Sequence, residues 1–228
     1  MFPGTQARIL LATASVDKQS LFLQGRLLVF TRRDGAVADI EERSPFYLLG
    51  LDLPAAPLFS DALQKNIIPQ VPLHTLLAKY DGVNESVVLR QGHKKYTLEA
   101  LPPYLIFHVK RFQKVPEVWV QLPGYSHTLT FQNNFFVEKN PTIVTFPLRG
   151  LDLSDVIPLP SSGGSSVYDL VANVCHDGTP GNGHYRTQVL HSPDGLWYEA
   201  HDLAITEVLP QQVAMTEAYL QIWRRRDA

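Results

Sequence analysis

Cysteine is almost missing from this sequence: of 228 residues one, Cys175, carries a thiol. A single thiol excludes an internal disulfide and any multi-cysteine zinc site built from this chain alone. Long apolar runs are missing as well. None approaches the ~20 residues needed to cross a bilayer, and the short apolar segment Ile9 to Ala14 that follows Arg8 falls below the usual ~7–15-residue core of a secretory signal. There is no excess of one charge either, since 20 Lys and Arg face 22 Asp and Glu for a formal net charge of -2. Such a balance argues against a protein held to nucleic acid mainly by counterion release. The expectation is a soluble intracellular protein with no direct nucleic-acid binding and no membrane contact.

What is plentiful is proline, 17 residues that punctuate the chain into short elements. Phe46 to Leu53 is apolar and ends in Pro54 and Pro57, a strand entering a turn. Ile67 to Pro72 is held extended by its prolines. Pro72 can then occupy the first position of a short helix over Leu73 to Tyr80, with Leu73, Leu76 and Leu77 on one face. Leu105 to Phe112 alternates and is β-rich, and Ile143 to Phe146 is a short strand closed by Pro147. The last third is the most regular. Tyr168 to Cys175 reads as a strand, Asp177 to Gly183 as a turn-rich connection and Tyr185 to Leu190 as the returning strand. Leu196 to Ala200 and Tyr219 to Trp223 follow as further strands. With no internal repeat and no long helix, the fold class is α+β, mostly antiparallel sheet with few short helices.

The chemistry concentrates around His184, set between Gly183 and Tyr185 at the mouth of that hairpin. Gly183 admits a close backbone approach, and a histidine held this way can act as general base for a nucleophile brought from elsewhere. Taken alone, the three residues read first as a surface histidine in a turn. Cys175 is nine residues upstream on an apolar strand and reads as a buried core residue rather than a nucleophile. His176, His184, His191 and His201 match no usual zinc spacing, so no metal and no cofactor is expected. Arg224-Arg225-Arg226 reads as a solvated tail, with a nuclear signal or RNA contact as the alternative.

Three ordered motifs change the weight given to His184. The run from Gly183-His184-Tyr185 to Trp197-Tyr198-Glu199-Ala200-His201-Asp202 resembles the histidine box of the ubiquitin-specific proteases. Leu101 to Phe112 (LPPYLIFHVKRF) is similar to that family's proline-led strand ending in Lys-Arg-Phe, and Ala218 to Trp223 resembles its last core strand. Further runs, Leu51 to Leu58, Ile67 to Leu73, Asn133 to Phe146 and Tyr168 to Gly178, resemble the ubiquitin-specific-protease-like splicing factors of the tri-snRNP within that family. The resemblance covers residues 24–226, leaving an unmatched segment 1–23, a tail 227–228 and one insertion, 115–132.

The resemblance implies the palm and fingers of a papain-like fold, with His184 at the position of the catalytic base. It also shows departures. The N-terminal cysteine box that supplies the nucleophile in the enzymes has no counterpart in this sequence. The position that orients the base falls on His201, with Asp202 adjacent. A histidine accepts a hydrogen bond but lacks the fixed negative charge that stabilises an imidazolium, and neighbours on a strand point to opposite faces. These departures imply a non-catalytic relative: a nuclear scaffold in pre-mRNA splicing that contacts tri-snRNP or other spliceosomal proteins and, as a weaker reading, ubiquitin. A thiol-dependent deubiquitinase is the alternative for a form carrying the cysteine box. Without the thumb half, the sheet that packs against it is expected to expose an apolar face. The adjacent Phe135 and Phe136 cannot both face one core on a strand and are candidate partner contacts. The insertion, which starts at a valine and ends at a glutamine, fits a retained in-frame intron or a lineage-specific surface loop.

Overall fold

The computed structural model describes residues 22–32, 39–55, 68–88, 92–116, 135–155 and 164–227, with backbone alone at 88, 115–116, 135–136 and 155. The chain runs β1 (Gly25–Arg32), β2 (Ile40–Phe46), β3 (Leu49–Asp52), β4 (Gln70–Pro72), α1 (Leu73–Leu77), β5 (Ser86–Val88), β6 (Gly92–Ala100) and β7 (Tyr104–Lys110). It continues through β8 (Phe112–Pro116), β9 (Phe135–Lys139), β10 (Ile143–Thr145), β11 (Leu151–Asp152) and β12 (Val167–Thr179). β13 (Asn182–His191), β14 (Leu196–His201), β15 (Ala204–Val208), α2 (Pro210–Ala214) and β16 (Ala218–Arg225) complete it. Eight strands form the main sheet, in the order β15-β14-β13-β12-β16-β7-β3 with β11 alongside β12. All its pairings are antiparallel except β3 with β7. A second, four-stranded antiparallel sheet has the order β2-β1-β6-β5.

Alternation explains the main sheet. Along β7, Leu105, Phe107 and Val109 are buried while Tyr104, Ile106 and His108 are only partly so. Leu49 and Leu51 of β3, Leu170 of β12 and Trp223 of β16 join the same buried cluster, which α1 closes with Leu73, Leu76 and Leu77. Each buried leucine of this kind contributes about 2 kcal/mol of transfer free energy. The two prolines before β7 have a structural use: Tyr168, fully buried, donates its hydroxyl hydrogen to the Pro102 carbonyl at 2.7 Å.

Three local expectations need correction. Phe46 to Leu53 is not one strand, because the chain bends at Tyr47 and Leu48. Leu48 is therefore half exposed, whereas Leu49, Leu51 and Leu53 are core. Pro72 lies one residue ahead of the first helical position, in extended backbone at the end of β4. Arg224, Arg225 and Arg226 are not a solvated tail. The first two belong to β16, Arg225 binds Asp227 and the Leu101 carbonyl, and Arg226 forks onto Asp169.

Between β7 and β8 lies the structural joint of the molecule. Arg111 is fully buried; its Nε donates to the Ala218 carbonyl at 2.6 Å, and its Nη1 donates to the carbonyls of Thr142 at 2.6 Å and Asn140 at 3.0 Å. Asn140 in turn donates to the Pro54 carbonyl at 2.8 Å and accepts from the Thr142 amide at 3.0 Å. Burial pulls the guanidinium down to about 10, against the pull of Glu217, so it stays charged at neutral pH. Replacing Arg111 with Leu strands three buried carbonyls and is expected to cost roughly 3 kcal/mol or more. Urea unfolding checks this, with Arg111→Lys recovering only part because an ammonium cannot reproduce the fork.

The segment expected to be an insertion starts inside a hairpin. β8 and β9 pair Phe112 with Lys139, Gln113 with Glu138 and Lys114 with Val137 before reaching Val115. Joining Lys114 directly to Asn133 would keep those three pairs and close them with residues 133–136, an ordinary hairpin loop length. Deleting 115–132 is therefore expected to leave the thermal midpoint unchanged within a few degrees, which a melting curve checks.

Candidate functional site

The hairpin that carries His184 is more regular than its composition suggests. Regular pairing runs through the segment expected to be an irregular connection, from Ala172 with Val189 to Thr179 with Asn182, so that Pro180 and Gly181 alone make the turn. Two glycines make this possible. Gly178 has a positive φ of 91°, and a Cβ at Gly183 would sit 2.4 Å from Nε2 of His176, so only hydrogen fits there.

That register sets Asp177 directly opposite His184, with Oδ2 3.9 Å from the imidazole Nε2. The His201 ring lies over His184 at 4.7 Å between centroids and 28° between planes, so the two imidazoles meet face to face. His201 turns its own Nε2 toward Asp202, 3.9 Å away. Asp202 lies in the β14–β15 turn with a left-handed φ of 53°, its side chain in solvent. The structure thus brings His184 and His201 together and turns Asp202 outward. The carboxylate facing His184 is Asp177, which sequence reasoning missed. Pairing outward from a two-residue turn at Pro180-Gly181 would have found it, since that register puts residue 177 opposite residue 184.

Asp177 is held in place by a chain of polar contacts. Arg186 Nε donates to Asp177 Oδ2 at 2.5 Å, and its Nη1 donates to Glu199. Glu199 also accepts from Gln188 at 2.9 Å, and Gln188 accepts from Asn173 at 3.1 Å. Burial pushes the Asp177 carboxyl up, but the Arg186 hydrogen bond and the surrounding positive charge outweigh it and leave the group below its ordinary range. For Arg186, burial favours the neutral form, and its two carboxylate partners more than reverse that. The buried end of the network surrounds Cys175, which is fully buried with its thiol pushed up by burial despite a Thr216 hydrogen bond. A thiol in that state is a poor nucleophile.

The other face of the hairpin is aromatic. His176, only 3% exposed, packs edge-on against Phe112 at 5.0 Å and Tyr185 at 4.9 Å, and burial lowers its pKa. A cavity of about 630 Å³ lies there, lined by Phe112, Val137, His176, Pro180, Gly183 and Tyr185. Lys139 of β9 donates to the His176 carbonyl at 2.6 Å and pairs with Glu217 at 2.7 Å. His176 makes its ring contacts with Phe112 and Tyr185, and His191 pairs with Asp194. Among the described residues no group of three or more His, Cys, Asp or Glu side chains is arranged to hold a metal ion. Phe135 and Phe136 belong to β9 by backbone, and their side chains lie outside the described residues.

Because the folded-state pKa of Asp177 lies below its unfolded value, its contribution to stability is present above about pH 4 and lost as pH falls through the folded value. Asp177→Asn is expected to lower stability at pH 7 and to do so by less at about pH 3, where the advantage of the parent carboxylate is being lost. Urea midpoints at the two pH values check this.

Known proteins share this outline. Residues 15–223 match the family described as ubiquitin carboxyl-terminal hydrolase. The human protein named ubiquitin carboxyl-terminal hydrolase 39 is 46% identical over 189 residues, 81% of this chain and 30% of its own length. The probable mRNA-splicing protein ubp10 of Schizosaccharomyces pombe is 36% identical over 189 residues, 79% of this chain and 34% of its own length. This chain thus spans about a third of the curated relatives it matches. In fold it is similar to the crystal structure of an essential yeast splicing factor, with a TM-score of 0.58 at 22% identity over 96% of this chain and 46% of that one.

Proposed function

The chain belongs to the ubiquitin carboxyl-terminal hydrolase family, and from that premise we propose that it is a non-catalytic scaffold of the ubiquitin-specific-protease type acting in pre-mRNA splicing. In this reading it works in the nucleus and contacts tri-snRNP proteins, with Phe135 and Phe136 of β9 among the contact residues. The similarity to a splicing protein over 79% of the chain supports the splicing role. The observation that carries the non-catalytic part is the separation of base and thiol. His184 is half exposed at the hairpin mouth, while Cys175 is sealed in the sheet with its thiol pushed up. Within this chain the base has no reachable thiolate to activate.

One observation favours a second reading, a deubiquitinase whose cysteine comes from a form carrying the cysteine box. His184 keeps a solvent-facing imidazole with a carboxylate across the hairpin, which a general base requires. In that form Asp177 would take the part that His201 and Asp202 fill poorly.

The test reacts the chain with ubiquitin bearing a thiol-reactive C-terminus, beside a Cys175→Ala control, and then captures partners from nuclear extract. No labelling and recovery of tri-snRNP proteins are expected. Labelling that vanishes in the control would make Cys175 a working nucleophile and overturn the scaffold reading.

A further inference from the structure

The outermost strand of the main sheet, β15, has an unusual edge. Among the described residues its outer side pairs with nothing, since the sheet order ends there. Exposed edges are normally blunted by lysines, prolines, bulges or inward charges, because a row of unpaired N–H and C=O groups is a template for another strand. The edge of the smaller sheet shows such protection: β2 reads Ile-Glu-Glu-Arg-Ser-Pro-Phe, with three charged residues and Pro45. β15 reads Ala-Ile-Thr-Glu-Val and pairs with β14 over its full length with no register shift. It carries one charge and no proline. Both of its faces are open, as four of its five residues are exposed and Val208 is half-buried.

Large apolar side chains surround this edge. Leu203, in the turn before it, is as exposed as in an open chain at 102%, and Ile205 and Met215 are each at 72%, with Leu209 at 61%. Beside Val208 and Met215 a cavity of about 440 Å³ opens between β13, β14, β15 and α2, with the paired Arg186 and Glu199, Gln188 and Gln212 on its wall. Apolar groups in such a concentration mark a binding surface in a folded protein.

The charge left without a Lys or Arg partner along this edge has one sign. Residues 187–223 contain Asp194, Glu199, Asp202, Glu207 and Glu217 and no Lys or Arg. Glu199 is neutralised by Arg186, and Glu217 by Lys139. Asp194 pairs with His191, and Asp202 has only His201 beside it. Asp202 and Glu207, the two carboxylates flanking the edge, are thus without a Lys or Arg partner among the described ion pairs. A second copy of this chain is a poor fit. An antiparallel pair of β15 strands centred on Thr206 would gather the Asp202 and Glu207 carboxylates of both copies on one ribbon with no cation.

We infer that β15 is a docking edge for an extended, basic segment of a partner protein, which adds as a further strand with Lys or Arg beside Asp202 and Glu207, on the face that also carries Ile205, and apolar side chains on the opposite face beside Val208 and Met215. Main-chain hydrogen bonds supply the affinity in this mode and alternate side chains supply the specificity. The inference rests on the edge and its charge, independently of the splicing reading, and holds or fails whether or not the chain works in splicing.

The test uses the full chain and a labelled peptide, acetyl-Lys-Val-Lys-Ile-Arg-Val-Lys-amide. The controls are a version with Glu at every basic position and a version N-methylated on alternate amides. Fluorescence anisotropy at two salt concentrations reads binding, and amide hydrogen exchange locates it. The basic peptide is expected to bind, to weaken with salt and to protect the amides of residues 204–208, while both controls fail. Glu207→Lys and Ile205→Lys, surface changes whose folding is checked by circular dichroism, are each expected to weaken binding by about tenfold or more. Equal binding of the acidic peptide, or protection confined to residues away from 204–208, would overturn the inference. So would protection of 204–208 that rises with protein concentration in the absence of peptide, which would make a second copy the occupant.

Discussion

A buried guanidinium holds the fold at the point where its parts meet. Arg111 has no carboxylate hydrogen-bonded to it; its Nε and Nη1 donate to main-chain carbonyls of two segments distant in sequence, Ala218 in one and Asn140 and Thr142 in the other. Through them it ties the end of β7, the stretch between β9 and β10 and the start of β16 into one joint. The arrangement is specific because a planar fork fixes directions as well as distances. The same joint positions the hairpin of the candidate site, since Phe112, the residue after Arg111, packs on His176 of that hairpin.

Much of the main sheet is legible in the sequence because one of its faces is dry. Leu105, Phe107 and Val109 alternate with less buried neighbours, and the helix face of Leu73, Leu76 and Leu77 stands out in the same way. The four-stranded sheet is not legible by the same means. In β1 nearly every residue from Leu27 to Thr31 is half-buried on both faces, and in β2 most are exposed, so no period-2 contrast survives. β15 and α2 escaped for a related reason: an edge strand exposed on both sides and a five-residue helix leave little pattern.

The site divides along the same line. His184 and His201 are legible as motif positions, and the structure brings their rings into contact. Asp177 and Arg186 are not, because their importance comes from cross-strand register rather than from residue type. A carboxylate seven positions from a histidine carries no signal until a turn fixes which residues face each other. Asp202 shows the converse. It is adjacent in sequence to the orienting position, yet a left-handed turn conformation carries it into solvent.

The place of β16 in the main sheet has a consequence for how the molecule is made. β7 and β12 do not pair with each other; β16 lies between them and hydrogen-bonds to both. The strands emerging earlier during synthesis therefore form two separate sets, each with an open apolar flank, until the segment from Ala218 to Arg225 is inserted. Such a sheet closes by distant contacts, which makes closure slow and leaves nascent chains exposed to holding factors. A stop codon anywhere before Ala218 would remove the keystone of the sheet rather than an outer strand, and the product would be cleared as unfolded chain instead of surviving as a shortened protein.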